Sequence, residues 1–125
     1  NMVRTQELFE AQVTRAARRL PDLTVPSSPS GVVGVYDVSS DWTPIYDRTN
    51  LPGYYVAMGT SGNQFKNAPF VGKLMFKLIS EVEAGVDHDN NPVEIVGEYT
   101  GHKINIGTYS RKRKINENSS GTVMG

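Results

Sequence analysis

The feature that most constrains the fold of this 125-residue chain is an uninterrupted run of apolar strand, glycine-rich turn and apolar helix. Residues 54–58 (YYVAM) are continuously apolar, which is typical of a strand buried on both faces of a parallel sheet. The turn follows at residues 59–66 (GTSGNQFK), and Pro69 then stands where the first turn of a helix tolerates a missing N–H group. Apolar positions at helical spacing continue to Val82, so we expect the helix to end near Glu83.

Weaker patterns flank this unit on both sides. Apolar residues at helical spacing predict a helix over residues 4–20, which Pro21 ends. The Pro- and Ser-rich residues 22–30 (DLTVPSSPS) predict a loop or linker and form the best internal boundary of the chain. Short runs of β-branched and other apolar residues predict strands at residues 31–38, 43–47, 93–96 and 104–106.

The composition excludes several classes of function. Lys plus Arg and Asp plus Glu each number 13, so the formal net charge is zero and nothing favours a nucleic acid or a membrane surface as partner. No apolar run approaches the ~20 residues that span a bilayer, and the N-terminus is unlike a signal peptide, so we expect a cytoplasmic protein. The absence of cysteine excludes disulfides, thiol catalysis and Cys-type zinc sites.

Two clusters of charged residues could be interpreted as functional sites, but their sequence context does not favour that interpretation. Asp87, His88 and Asp89 are adjacent on a predicted turn, where three side chains rarely converge on one metal ion. We therefore interpret them as a solvated loop and predict no metal site. The basic residues 111–114 (RKRK) are typical of a nucleic-acid patch, but the zero net charge argues against that reading.

The turn at residues 59–66 is the best candidate for a binding site. Gly59 and Gly62 allow tight backbone geometry and the close approach of a ligand. The helix that follows begins with free N–H groups and a positive dipole end, which favour an anion or an electron-rich carbonyl. Lys66 adds a positive charge at the same place. On pattern alone, a turn that binds nothing is equally compatible, because the turn matches neither a P-loop nor GxGxxG.

Three stretches in the right order resemble one family. Residues 52–72 are similar to PG-x-Y-V-x-x-G-x-SGHGFK-x-AP-x-x-G, the flavin-contacting pattern of the D-amino-acid-oxidase-like superfamily. That superfamily includes glycine oxidase and the sarcosine and dimethylglycine oxidases and dehydrogenases. Residues 34–45 (GVYDVSSDWTPI) resemble its G-x-Y-x-x-TPD-x-x-PI stretch, and residues 106–111 (IGTYSR) resemble its closing stretch.

The resemblance implies an FAD-dependent oxidoreductase that oxidises C–N bonds of an amino acid or a secondary amine. In such enzymes this loop lies beside the pyrimidine end of the flavin ring, where positive dipoles stabilise the negative charge that reduction builds. The lysine of the pattern, Lys66 here, sits by the flavin and helps to hold the substrate carboxylate, which makes it the candidate catalytic residue. The candidate cofactor-binding residues are Gly59, Thr60, Ser61, Gly62, Asn63, Gln64, Phe65 and Lys66.

The sequence departs from the family pattern at two places. Asn63–Gln64 replaces His-Gly, and Ser39–Ser40 replaces the Thr-Pro of TPD. An asparagine still donates hydrogen bonds but does not titrate near neutral pH, so a role that needs an imidazole is in doubt. These changes favour a divergent subgroup and leave the substrate open.

The sequence lacks the GxGxxG unit with which this family binds its dinucleotide. We therefore interpret the chain as an α+β fragment with an N-terminal helix, a few mainly antiparallel strands, and a buried strand–loop–helix unit from an FAD-binding α/β domain. Residues 1–30 would be helix and linker from the end of the substrate-binding region, and residues 31–125 the C-terminal portion of the FAD-binding domain. A fragment would expose faces that pack on the missing N-terminal half, so it is expected to associate with that half or with itself.

Two functions stay open at this point. In the first, the parent protein is an enzyme that takes a small-molecule amine or amino acid, and this chain alone is inactive and without FAD. In the second, the chain is a non-catalytic accessory or interaction module that kept the fold piece and lost cofactor binding. An upstream GxGxxG half in the native gene would favour the first.

Overall fold

The computed structural model describes residues 3–123 and divides the chain into two compact units, residues 1–35 and residues 36–125. Residues 1–2 and 124–125, the ends of the two predicted segments, lie outside the described residues. The assignment of the first segment to a substrate-binding region stays a prediction. No helix within the described residues is long and apolar enough to cross a bilayer.

The first unit contains one helix, α1, at Gln6–Ala17. The Thr5 hydroxyl accepts a hydrogen bond from the Leu8 amide at 3.3 Å and caps its N-terminus, as threonine commonly does. The helix is shorter than the predicted 4–20, because the chain turns at Arg18, ahead of the proline that was expected to stop it. None of its residues is buried within the described structure.

The strand predicted at residues 31–38 is wrong. Those residues belong to no strand in the described chain, and Val32 and Val35 are 97% and 74% exposed. A run of β-branched residues becomes a strand only when a neighbouring strand pairs with its backbone and covers its side chains. This segment has no such neighbour among the described residues.

The second unit carries two small antiparallel hairpins. Strand β1 at Ile45–Arg48 pairs with β2 at Tyr55–Met58, and β3 at Glu94–Val96 pairs with β4 at Lys103–Asn105. The expectation of mainly antiparallel strands in an α+β chain is confirmed. The expectation of a doubly buried parallel strand at 54–58 is wrong: β2 is antiparallel to β1, and its residues are half-buried or exposed. Within the described chain its only paired strand is β1, so one of its edges has no strand beside it.

Helix α2 spans Ala68–Glu83 and confirms the predicted helix, which was expected to end near Glu83. A short 3₁₀ helix at Phe65–Asn67 leads into it, and Pro69 occupies the first turn as expected. Leu74 and Leu78, one turn apart, are fully buried. The apolar face is narrower than the sequence suggests, because the Phe76 ring is 74% exposed.

The hydrophobic core lies where α2, β1 and a C-terminal 3₁₀ helix at Ile106–Tyr109 meet. Its fully buried members come from all parts of the second unit: Tyr46, Leu74, Leu78, Val93 and Ile106. The rings of Tyr46 and Tyr109 pack with centroids 5.2 Å apart and a tilt of 48°, a favourable aromatic geometry. The core therefore anchors both β1 and the helix of the strand–turn–helix unit.

Buried carboxylates tie the basic residues 111–114 to this core. Asp47 is fully buried and accepts hydrogen bonds from the Ser110 hydroxyl, the Arg111 amide and the Arg111 guanidinium at 2.9, 2.8 and 3.0 Å. Asp41 accepts from Arg113 Nη2 at 2.7 Å. Two of the four basic side chains are thus internal ion-pair partners.

The interpretation of residues 87–89 as a solvated loop is wrong for two of the three side chains. His88 is 1% exposed, and its Nδ1 atom accepts a 3.0 Å hydrogen bond from the Val93 amide. The Asp89 carboxylate is mostly buried and pairs with Arg48, Arg111 and Lys112 at 3.2, 2.8 and 2.9 Å. Only Asp87 is exposed, as a solvated loop requires.

Candidate functional site

The turn that joins β2 to α2 is held in an unusual backbone conformation. Gly59, Ser61 and Gly62 all have positive φ angles, at 67°, 52° and 78°. Glycine adopts such angles without steric cost, whereas Ser61 does so against its preference. Ser61 is fully buried, and its hydroxyl donates to the Gly59 carbonyl at 3.1 Å, which helps to hold the turn closed.

Asp37 lies against the first half of this turn. Its carboxylate accepts hydrogen bonds from the amides of Gly59 and Thr60 at 2.8 and 3.1 Å. The same carboxylate accepts a short hydrogen bond from the Thr60 hydroxyl, and the Asp37 carbonyl accepts from the Ser61 amide at 2.9 Å. The Thr60 hydroxyl and amide hydrogen bonds lower the pKa of Asp37 below its usual value, so the carboxylate is charged at neutral pH.

Side chains from residues 36–39 lie close to where a Cβ would stand on Gly59 and Gly62. A Cβ on Gly62 would lie 2.9 Å from three ring carbons of Tyr36, closer than side chains approach each other. A Cβ on Gly59 would lie 3.3 Å from the Ser39 Cβ. Tyr36 and Asp37, at the end of the expected strand, thus pack against the turn together with Ser39.

A shallow depression of about 380 Å³ opens beside the turn. Its lining residues come from the two strands, the turn and the start of α2: Tyr46, Ala57, Thr60, Gly62, Gln64, Phe65, Ala68 and Val71. The side-chain oxygen Oε1 of Gln64 accepts hydrogen bonds from the Tyr46 hydroxyl at 3.1 Å and from the side-chain amide of Asn67 at 2.8 Å. The depression therefore has apolar walls and one side-chain amide in a fixed orientation.

The predicted site residues divide into three groups. Thr60, Gly62, Gln64 and Phe65 line the depression. Gly59 and Ser61 are buried behind it, with their amides directed at Asp37.

Asn63 and Lys66 lie apart from that depression. The Asn63 side-chain amide donates to the Val123 carbonyl at 2.8 Å, so it binds the C-terminal residues of the described chain. Lys66 is exposed in the 3₁₀ helix before α2 and is not among the residues that line the depression. Their assignment to a cofactor or substrate contact stays a prediction.

Sequence reasoning missed three residues at this site. Asp37 and Tyr36 fell inside a stretch interpreted as a strand, although they belong to the G-x-Y block that resembles the family pattern. Tyr46 was expected only as part of a short strand. The resemblance of both residues 34–45 and residues 52–72 to the pattern of one family was the signal that could have placed residues 36 and 37 beside the turn.

No metal centre is found in the part of the chain that the structure describes. No three of its His, Asp and Glu side chains are arranged to hold a metal ion. The acidic residues of highest burial, Asp41 and Asp47, are instead engaged by arginines.

Comparison with known proteins identifies the family of this chain. A family model described as FAD dependent oxidoreductase matches residues 3–78, a segment that contains α1, β1, β2 and the whole turn. Neither the curated proteins nor the solved structures give a significant match. Because the matched segment covers more than half of the chain, this protein belongs to the FAD-dependent oxidoreductase family.

Proposed function

We propose that this chain supplies the flavin-ring contact loop of an FAD-dependent oxidoreductase that oxidises C–N bonds of an amino acid or a secondary amine. The observation that carries the proposal is the family match, which includes the complete turn at residues 59–66 and its lysine. The sarcosine-, dimethylglycine- and glycine-oxidase branch is the proposed subgroup, on the strength of the resemblance of residues 52–72 to that pattern.

The residues at the turn suit one edge of a flavin ring. The depression offers apolar wall residues such as Ala57 and Val71 to a flat aromatic face. Gly62 is exposed and lines the depression, and so does Gln64, whose side-chain oxygen is already engaged by Tyr46. The sequence contains no GxGxxG fingerprint for the adenine dinucleotide, so the fit extends to the ring and not to the whole cofactor.

When bound, FAD would accept the hydride from the substrate, and the residues of this chain would bind and orient. Lys66 is exposed and carries a compact positive charge, so its ammonium group can reach a carboxylate on a separate molecule. Phe65, 97% exposed beside it, offers an apolar surface at the rim of the depression. Together they would hold an amino-acid substrate by its carboxylate and its carbon skeleton.

We propose further that the chain is a C-terminal fragment whose partner is the missing N-terminal half of a cytoplasmic parent protein. The unpaired edge of β2 and the exposed ring of Phe76 on α2 are surfaces that a larger domain would cover. Self-association would be the alternative way to cover them.

Co-expression with the GxGxxG half of the native protein tests this function. We expect the assembly to be yellow with bound flavin and to oxidise an amino acid or secondary amine. Lys66→Met should retain flavin but lower kcat/KM by about 10- to 100-fold, the loss expected for one charge-assisted hydrogen bond. Lys73→Met is the matched control, because Lys73 is another exposed lysine and pairs only with Glu98 in the described structure.

Each failure of this experiment has a distinct meaning. An assembly that binds no flavin would overturn the enzyme proposal and favour the accessory-module alternative. An assembly that binds flavin and turns over equally well with Lys66→Met and Lys73→Met would show that Lys66 does not hold the substrate.

A further inference from the structure

We propose that Asp37 is a positioning residue: it anchors the backbone of the first half of the turn, Gly59–Ser61, and so fixes the position in which the second half, Gly62–Lys66, meets the flavin. This inference rests on the proposed function for its second part. Its first part, the anchoring, concerns the chain alone. Neither the family match nor the sequence pattern assigns a role to residue 37.

The anchoring is built from four hydrogen bonds between two segments more than 20 residues apart. The carboxylate accepts from the Gly59 amide, the Thr60 amide and the Thr60 hydroxyl, and the Asp37 carbonyl accepts from the Ser61 amide. All three consecutive amides of the first half are therefore directed at one residue. Amides that already donate to Asp37 are not available to a cofactor.

The backbone of the turn needs such an external partner. Ser61 is not glycine but has a φ angle of 52°, and it is fully buried. A residue persists in that region only when its surroundings determine its conformation. Asp37 supplies the determining contacts on one side, and the Tyr36 ring against Gly62 supplies them at the junction of the two halves.

A carboxylate suits this position better than its closest isostere. Two oxygens accept three hydrogen bonds here, and neither needs to donate. An asparagine would offer one uncharged acceptor oxygen to the two amides, and its NH₂ group would face the Thr60 hydroxyl, which would have to accept instead of donate. Asp37→Asn therefore replaces charge-assisted hydrogen bonds by weaker neutral ones with almost no change in size.

Amide hydrogen exchange followed by NMR tests the anchoring in the 125-residue chain. In Asp37→Asn we expect the Gly59 and Thr60 amides to exchange about 10-fold faster, because a weaker, uncharged acceptor makes local opening easier. The Ser61 amide should change less, because it donates to the Asp37 main-chain carbonyl, which the substitution keeps. Leu74 and Leu78, fully buried in α2, should keep their protection and show that the fold is intact.

The matched control is Asp87→Asn. Asp87 is also an exposed aspartate whose carboxylate accepts local hydrogen bonds, from the Asp89 amide and the Asn90 side chain, but in a different turn. We expect it to leave the exchange of the Gly59–Ser61 amides unchanged. Equal protection of the Gly59 and Thr60 amides in the wild type and in Asp37→Asn would overturn the anchoring.

A second measurement covers the case in which Asp37→Asn fails to fold. In the wild-type chain, the amide resonances of Gly59 and Thr60 should shift together during an acid titration, as the carboxyl group that they bind takes up its proton. Because the hydrogen bonds lower the pKa of Asp37, this shift should come below the ordinary carboxyl pKa, near 3.9. Amide resonances that shift with a midpoint at or above that value would overturn the anchoring as well.

The link to flavin has its own readout in the assembly with the GxGxxG half. We expect Asp37→Asn to weaken flavin binding by about 10-fold or more, in line with the loss of one to two hydrogen bonds to a charged group, while Asp87→Asn does not. Unchanged flavin affinity despite faster amide exchange would overturn the positioning role and leave the anchoring standing. Absence of flavin in the wild-type assembly would overturn the proposed function instead, and the exchange result would still decide the anchoring.

Discussion

Arg113 Nη2 lies 2.7 Å from Asp41 Oδ1, and the two side chains are only 11% and 1% exposed. The Asp41 carboxylate also accepts hydrogen bonds from the main-chain amides of Thr43 and Asn116 at 3.1 and 3.0 Å, so it is bound by these amides as well as by Arg113. Asp41→Ala would leave the guanidinium buried without its partner. We expect it to lower the free energy of unfolding by about 3–5 kcal/mol, measured by urea denaturation.

Glu98→Gln provides the control for that prediction. The Lys73–Glu98 pair has a comparable distance of 3.1 Å, but its side chains are 67% and 66% exposed. Water screens such a pair, so the expected loss is below about 1 kcal/mol. Equal effects of the two substitutions would mean that burial does not decide the strength of the Asp41–Arg113 pair.

Gly62→Ala should destabilise the chain, because the added Cβ would meet the Tyr36 ring at 2.9 Å and the φ angle of 78° disfavours any residue with a Cβ. We expect a loss of at least ~1 kcal/mol in thermal unfolding. Gly72→Ala tests the same chemical change in helix α2, where the added Cβ meets nothing within 4 Å. There the substitution should stabilise by up to ~1 kcal/mol, since alanine favours a helix over glycine. The same sign for both changes would contradict the steric role of Tyr36.

His88 should make stability depend on pH just below neutrality. Its burial lowers the pKa from the ordinary value of 6.5, and this outweighs the opposing attraction of the Asp47 and Asp89 carboxylates. The unfolded chain therefore binds a proton before the folded chain does, so stability is full above pH 6.5 and falls as the pH is lowered through 6. Thermal unfolding between pH 7 and 5 measures this slope.

Two variants identify the histidine responsible for that slope. His88→Gln keeps an acceptor for the Val93 amide but does not titrate, so the slope should flatten. His102 is exposed and is the other histidine of the chain, and His102→Gln should keep the slope. A slope that survives His88→Gln would assign it to other groups.

Acid should unfold the chain through its paired carboxylates. The hydrogen bonds from Arg111 and Lys112, together with the Arg111 charge, hold the pKa of Asp89 far below its usual range, against the opposing effect of burial. The stability that the ion pairs of Asp89 contribute is present above the ordinary carboxyl pKa, near 3.9, and is lost as the pH falls below it. Asp89→Asn should lower stability at pH 7 and weaken the fall between pH 4 and 2.5 in a series of thermal melts. An identical fall in the variant would contradict this assignment.

The sequence predicted the parts of the fold that depend on local pattern. Helix α2 and its end near Glu83 were predicted correctly because apolar spacing, Pro69 and the residues after Glu83 all indicate the same element. The family was also recognised from local motifs, since residues 52–72 keep their order and spacing. The prediction of helix α2 and the recognition of the family each depend on a stretch of about 20 residues.

The errors concern features that depend on distant partners. Residues 31–38 have strand-like side chains, but residues 3–123 contain no strand that pairs with them. Residues 54–58 have an apolar run, but in the same part of the chain their one paired strand is the antiparallel β1. His88 was interpreted as solvated because nothing beside it in sequence reveals that it is buried. Asp37 escaped notice for the same reason, since its hydrogen-bond partners begin 22 residues later.

The buried acids also bear on the order in which this chain folds. Asp47 and Asp41 meet their arginines 64 and 72 residues later in the sequence. Contacts across such long loops form late, because the entropy of closing the loop must be overcome before the contact contributes. Until then the two carboxylates stay hydrated, which opposes early burial of the β1 segment that contains Asp47 and directly follows Asp41. We therefore expect the second unit to fold in one step that waits for residues 110–116, with no stable intermediate built on β1 and α2 alone.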